Sequence, residues 1–280
     1  MARPWRSSSW SSARPEPVTG DAEPRAERRI ALLLEYDGTA YRGSQYQEDG
    51  PSIQSELESA ITNLTGESRR CAFAGRTDAG VHALGQIAAF DTASRLEPGD
   101  FVRGLNHFLP ADIAVRDAKE APAGFDPRRD ARERRYRYLI ANRAVRSPLL
   151  RDRAWHVARP LDLGAMQAAA AALRGTHDFA AFAGPYDGTT VRTLRRCDVA
   201  RDGAQVRVEM ASQAFLPHQV RRTVGPLVEV GLGRMTLEDV RALLEAARPS
   251  SAGPTAPACG LYLVSIAYVG LSLGACEEDG

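Results

Sequence analysis

The chain has almost no lysine: Lys119 is the only one, and arginine supplies the rest of its 36 basic residues. A GC-rich coding bias accounts for such an excess, yet arginine also offers a planar fork suited to phosphate and to stacking on bases. Cysteine is scarce too. Cys71, Cys197, Cys259 and Cys276 are scattered, form no C-x-x-C pair and have no histidine at metal-finger spacing, which argues against a disulfide framework and against a zinc site. No apolar run approaches the roughly 18 residues required to cross a bilayer, which excludes a membrane-spanning role. A Gly-rich phosphate loop is missing. Gly231-Leu232-Gly233 follows a predicted helix and lacks the third glycine of a dinucleotide fingerprint. The scattered cysteines fit a reducing, cytoplasmic setting. The net charge of +1 does not exclude a polyanionic partner, because local patches bind phosphate, not averages.

At 280 residues the chain can form one large domain or two fused smaller ones. Residues 1–28, rich in Arg, Ser, Pro and Ala without apolar periodicity, read as a disordered arm, and 271–280 as an acidic tail. Between them the pattern is regular. Ile30 to Tyr36 reads as a strand, and Ile53, Leu57, Ala60, Ile61 and Leu64 recur at helical spacing. Strands follow at Arg70 to Ala74 and Gln86 to Asp91, then a short helix around Phe101 to Asn106 and strands at Ile113 to Lys119 and Arg134 to Ala141. Leu161 to Leu173 is an Ala-rich helix, and Val191 to Ala200 pairs with Gln205 to Met210 across Asp202-Gly203. A helix near His218 to Val230 turns Val220, Val224, Leu227 and Val228 inward, Thr236 and Asp239 form a capping box, and Leu261 to Val269 closes the chain as a strand. This interleaving predicts an α+β fold: two ferredoxin-like (RRM-like) halves, 29–142 and 143–270, sharing a continuous, mainly antiparallel sheet with a central cleft.

One stretch carries chemistry. Ala74-Gly75-Arg76-Thr77-Asp78-Ala79-Gly80-Val81-His82 places a carboxylate beside an arginine in a glycine-bracketed loop between two strands. An ordinary turn has the same composition, so the string alone leaves both readings open. Arg76 lies two residues before Asp78 and points the same way if the loop is extended. Arg128, Arg129, Arg132, Arg134, Arg135 and Arg137 form a candidate RNA-facing strip, or a solvated charged edge. His82 reads as a hydrogen-bonded structural residue, Tyr138 as core and Asp37 as a turn residue.

Taken together with Arg134-Arg135-Tyr136-Arg137-Tyr138, Phe215 through Gly225, and Gly260-Leu261-Tyr262-Leu263, the Asp78 string resembles the tRNA pseudouridine synthase A family, in the family's order from Ile30 to Val269. Two departures stand out. Gly43-Ser44-Gln45-Tyr46-Gln47 lacks the tryptophan of the family's G-W-Q-x-Q, and Phe215-Leu216-Pro217-His218-Gln219-Val220-Arg221-Arg222 replaces F-x-R-H-M-V-R-N. The resemblance implies an isomerase that converts uridine to pseudouridine in the anticodon stem-loop of tRNA, around positions 38 to 40, as a homodimer and without cofactor or metal. It implies that Asp78 attacks or deprotonates the ribose of a base flipped into the cleft. Arg221 would pair with that carboxylate, and Tyr136 would support the loosened uracil. Arg76 would replace the flipped base or hold a phosphate, and Leu263 would pack at the pocket floor or in the core.

Overall fold

The computed structural model describes residues 26–274. The expected disordered arm up to residue 25 and the end of the acidic tail from residue 275 lie outside the described residues. The elements in chain order are β1 (Arg28–Tyr36), α1 (Ile53–Thr65), β2 (Ala72–Phe73), β3 (His82–Thr92), α2 (Pro98–Phe108), β4 (Ile113–Ala121), β5 (Glu133–Asn142), β6 (Trp155–Val157), α3 (Leu163–Ala172), β7 (Gly175–Asp178), β8 (Val191–Asp202), β9 (Gln205–Ser212), α4 (Gln219–Gly231), α5 (Leu237–Ala246) and β10 (Leu261–Ala267).

Local chemistry accounts for most of the boundaries. Ser52 and Ser55 close a capping box on α1, which stops at Gly66 in the left-handed conformation. Thr236 and Asp239 do the same for the start of α5. Helix α4 is buried along most of its length, including Val220, Val224, Leu227 and Val228, so packing holds it despite Pro226 in its interior. In β5, Tyr136, Tyr138 and Ile140 turn inward while Arg135, Arg137 and Leu139 stay partly exposed. A fully buried side chain such as Tyr138, Phe101 or Leu57 contributes about 1.5–3 kcal/mol.

The ten strands form one sheet in the order β4-β1-β3-β10-β5-β9-β8-β7, with β2 on β3 and β6 on β5. Pairing is antiparallel except between β10 and β3 and between β5 and β6. The mixed α+β class and the mainly antiparallel sheet agree with the sequence expectation. The last strand does the joining: β10 slots between β3 and β5, setting Tyr262 against His82 and Leu263 against both Ala83 and Tyr136.

Ile30 to Leu34 is buried without alternation because both faces of β1 are covered. On one face lies the large helix-covered core. On the other, Ala31, Leu33, Ile87 and Ala89 meet Phe125, Tyr268, Leu271 and Leu273. Residues 271–274, at the start of the acidic tail, are docked on this face: Leu271 and Leu273 pack here, Lys119 donates to the Ser272 carbonyl, and Gly274 N donates to Asp117 Oδ2 at 2.8 Å.

Candidate active site

The Asp78 loop is strapped from behind by three buried side chains. Gln86 on β3 accepts from Gly75 N at 3.3 Å and donates to Gly75 O at 2.8 Å. The Tyr36 hydroxyl lies 2.9 Å from Thr77 Oγ1. Burial pushes the Tyr36 phenol up to about 12 against the opposing hydrogen bonds with Thr77 and Gln86, so it remains a neutral donor. Ser44 Oγ accepts from Thr77 N at 2.8 Å while Ser44 N donates to Thr77 O at 3.0 Å. The serine that replaces the family tryptophan is thus buried under the loop and fixes the residue next to Asp78. Each such bond contributes about 1 kcal/mol, and their sum holds the loop in one geometry. Gly80 adopts φ 77°, a left-handed angle that favours glycine. Gly75 has no such angle; a side chain there would instead point at the Tyr136 hydroxyl, 3.7 Å from its Cβ.

Asp78 projects from this strapped loop with its side chain 31% exposed. Its Oδ2 accepts from Arg221 Nη1 at 2.8 Å and lies 2.8 Å from His218 Nδ1. Arg221 is anchored in turn by Nε to the Ala256 carbonyl at 2.8 Å. Oδ1 has no hydrogen-bond partner among the described residues. The carboxylate is thereby oriented through one oxygen and leaves the other open, the arrangement a nucleophile or base requires. His218 opens α4 at φ 59°, and its place three residues before Arg221 puts both on one helical face. In the sequence, the signal for this pairing is the i, i+3 spacing of His218 and Arg221.

Asp78 lines a cavity of about 510 Å³ together with Arg76, Tyr136, Phe215, His218 and Arg221. Tyr136 meets Phe215 edge to face at 5.1 Å, and burial holds its phenol well above the usual range, so it is protonated at neutral pH. Arg76 is exposed at the mouth. Leu263 is fully buried, and Leu261 lines the cavity in its place. His82 lies behind the loop: Nδ1 accepts from Gly38 N at 3.1 Å, Nε2 faces the Asp152 and Cys259 carbonyls at 2.9 and 3.1 Å, and the ring stacks on Tyr262. It is a structural tie, as expected. Tyr138, donating to the Pro257 carbonyl, belongs to the core, and Asp37 caps its own turn through Thr39.

The arginine strip does not exist as one surface. Arg135 and Arg137 point to the opposite side of β5 and pair with Glu209 at 3.7 and 3.0 Å. Arg134 is 8% exposed, and its guanidinium closes on the carbonyls of Ala74, Arg128 and Gln213. Strand alternation splits consecutive arginines between faces, which a linear charge count cannot register. Arg134→Met should cost about 3 kcal/mol, since it leaves buried carbonyls unpaired beneath the Asp78 loop. Urea unfolding checks this; an unchanged midpoint with weakened RNA binding would return Arg134 to an RNA-facing role.

The profile of the family described as tRNA pseudouridine synthase matches residues 33–128 and 169–269. The chain belongs to that family. The matched segments contain Arg76, Asp78, Arg221 and Leu263, while Tyr136 falls between them. Three relatives, each called tRNA pseudouridine synthase A, illustrate the likeness. The Myxococcus xanthus protein is 49% identical over 243 residues, 86% of this chain and 92% of its own. The Geotalea uraniireducens protein is 46% identical over 243 residues, 86% of this chain and all of its own. The Roseiflexus sp. protein is 46% identical over 256 residues, 90% and 94% of the two chains. Membership in this isomerase family makes the chain an enzyme that isomerises uridine in tRNA.

Proposed function

We propose that this enzyme converts uridine to pseudouridine in the anticodon stem-loop of tRNA, around positions 38 to 40, with Asp78 as the reacting carboxylate. The carrying observation is Asp78 itself: one oxygen held by Arg221 and His218, the other open in a cavity walled by Tyr136. The target base is stacked in RNA and must be extruded before any side chain reaches its glycosidic carbon. In one route Asp78 Oδ1 bonds to C1′ as the N1–C1′ bond breaks, the uracil turns, and the Oδ1–C1′ bond breaks as C5 bonds to C1′; in the other Oδ1 takes a ribose proton as the N1–C1′ bond breaks and returns it to the ribose as C5 bonds to C1′. In both, C5 then loses its proton, N1 gains one, and the carboxylate is restored. Atoms and electrons balance within the substrate, so the isomerisation calls for no redox partner or cofactor.

Tyr136 supports the loosened uracil. Its high phenol pKa suits a neutral surface and hydrogen-bond donor, not a phenolate base. Arg76, at the mouth and without a carboxylate partner among the described residues, takes the space of the extruded base or a phosphate beside it. Leu263 supports the pocket floor from the core side, through its register with Tyr136.

The same reading extends to architecture. Strands β4-β1-β3 with β2, and β10-β5-β9-β8, follow the same rank order of fourth, first, third and second strand. This repeat supports two ferredoxin-like halves meeting where β10 runs beside β3, with RNA in the cleft at that seam. On this reading β5 acts as first strand of the second half, which favours a division before Glu133 over one after residue 142. A cytoplasmic homodimer that grips tRNA across both subunits completes the proposal.

The test is incubation of the purified enzyme with unmodified tRNA transcript in buffer without added metal, followed by mapping of pseudouridine. Product at positions 38 to 40 supports the assignment. Product confined to another arm of the tRNA would overturn the placement in the anticodon loop.

A further inference from the structure

Beside the active site lies a second cavity of about 340 Å³, within the size range of small-ligand sites. Its lining includes Gln45, Phe73, Arg76, Arg128 and Arg129. Arg76 and Arg128 line both cavities and so form the wall between them. Both are exposed, and neither guanidinium has a hydrogen bond or ion pair among the described residues. That sets them apart from the neighbouring Arg70, Arg134 and Arg137, whose side chains all have partners. Two unpaired cations on one wall repel each other, and an anion between them removes the repulsion while accepting from both forks.

We propose that this second cavity receives the nucleotide adjoining the target uridine, with Arg76 and Arg128 clamping the phosphodiester between the two. The inference rests on the pseudouridine synthase reading and extends it to a second nucleotide. Phe73 supplies an aromatic wall for the neighbouring base, and stacking of this kind tolerates any base. The Gln45 side chain makes no hydrogen bond among the described residues, so its amide is free for a base edge. Gln54, also in the lining, is committed to Tyr46 N, Glu58 and the Cys71 carbonyl. Asp126, the carboxylate of the lining, accepts from the backbone of Arg128 and Arg129 and is 3.5 Å from Arg129 Nε, which ties down the segment that presents Arg128.

The test pairs enzyme and RNA changes in an anticodon stem-loop oligonucleotide. A neutral methylphosphonate replaces the phosphodiester on the 5′ or the 3′ side of the target uridine, and an abasic residue replaces either neighbouring base. Arg128→Ala should lower kcat/KM for native RNA by about tenfold. It should cost nothing further on the one methylphosphonate RNA whose charge it contacted. Gln45→Ala should show the same non-additivity with the abasic residue on that same side. Losses that multiply independently on both flanks, or variants indistinguishable from wild type on native RNA, overturn the second site while leaving the synthase reading intact. Failure of the wild type to convert the native stem-loop overturns that reading, and the subsite with it.

Discussion

Replacing Asp78 by asparagine is expected to lower pseudouridine formation by roughly 10⁴-fold or more, while RNA affinity should stay close to that of the wild type. The amide keeps the size of the carboxylate and fits the same strapped loop, so the fold is not at stake. It cannot attack C1′ or take a proton from the ribose: with its carbonyl oxygen accepting from Arg221 and His218, a non-nucleophilic NH₂ donor takes the open position of Oδ1. Conversion of unmodified tRNA under single-turnover conditions, with binding measured by filter retention, separates chemistry from affinity. Turnover at the wild-type rate would remove Asp78 from its role, and loss of binding in step with loss of turnover would make it a binding group only.

Arg221→Ala is expected to lower kcat by 10² to 10³-fold, about the cost of deleting one fixed donor from an electrostatically organised site. On the proposed reading Arg221 acts through Asp78, which it contacts at 2.8 Å, so KM for tRNA should change little. Lysine should recover only part of the loss. It preserves the charge, but one ammonium cannot reproduce the fork that reaches both the Ala256 carbonyl and Asp78 Oδ2. His218→Ala, by comparison, removes the second contact to the same oxygen and should cost less, with asparagine recovering activity through a neutral amide donor. If Arg221→Lys matched the wild type, a nearby positive charge would be sufficient and the two-point anchoring would be irrelevant. A rise in KM with unchanged kcat would place Arg221 on the RNA instead.

Much of the local structure was legible. Strand alternation in β5, the capping box at Thr236 and the β8–β9 hairpin depend on residues within a turn or a strand pair of one another, and the sequence displays them directly. Element ends were less so. The strand read at Arg70 to Ala74 shrinks to Ala72–Phe73, the two residues in ladder register with β3, with Ala74 N adding one hydrogen bond to the Ile87 carbonyl. The chemistry-bearing loop was likewise visible as a motif, yet its supports were not. Tyr36, Ser44 and Gln86 look like ordinary strand and loop residues until the fold brings them under Thr77 and Gly75.

The sequence by itself determined the class of fold, the loop that carries Asp78 and the family to which the chain belongs, because helical and strand periodicity and a contiguous motif are short-range properties. Only the tertiary structure decided that β10 returns between β3 and β5, that Arg134 is buried while the Arg76 and Arg128 guanidinium groups find no partner among the described residues, and that His218 joins Arg221 on a single oxygen of Asp78. Those outcomes depend on contacts between residues far apart along the chain. Which partners meet is fixed by burying both faces of one sheet at once, and no local window of sequence contains that constraint.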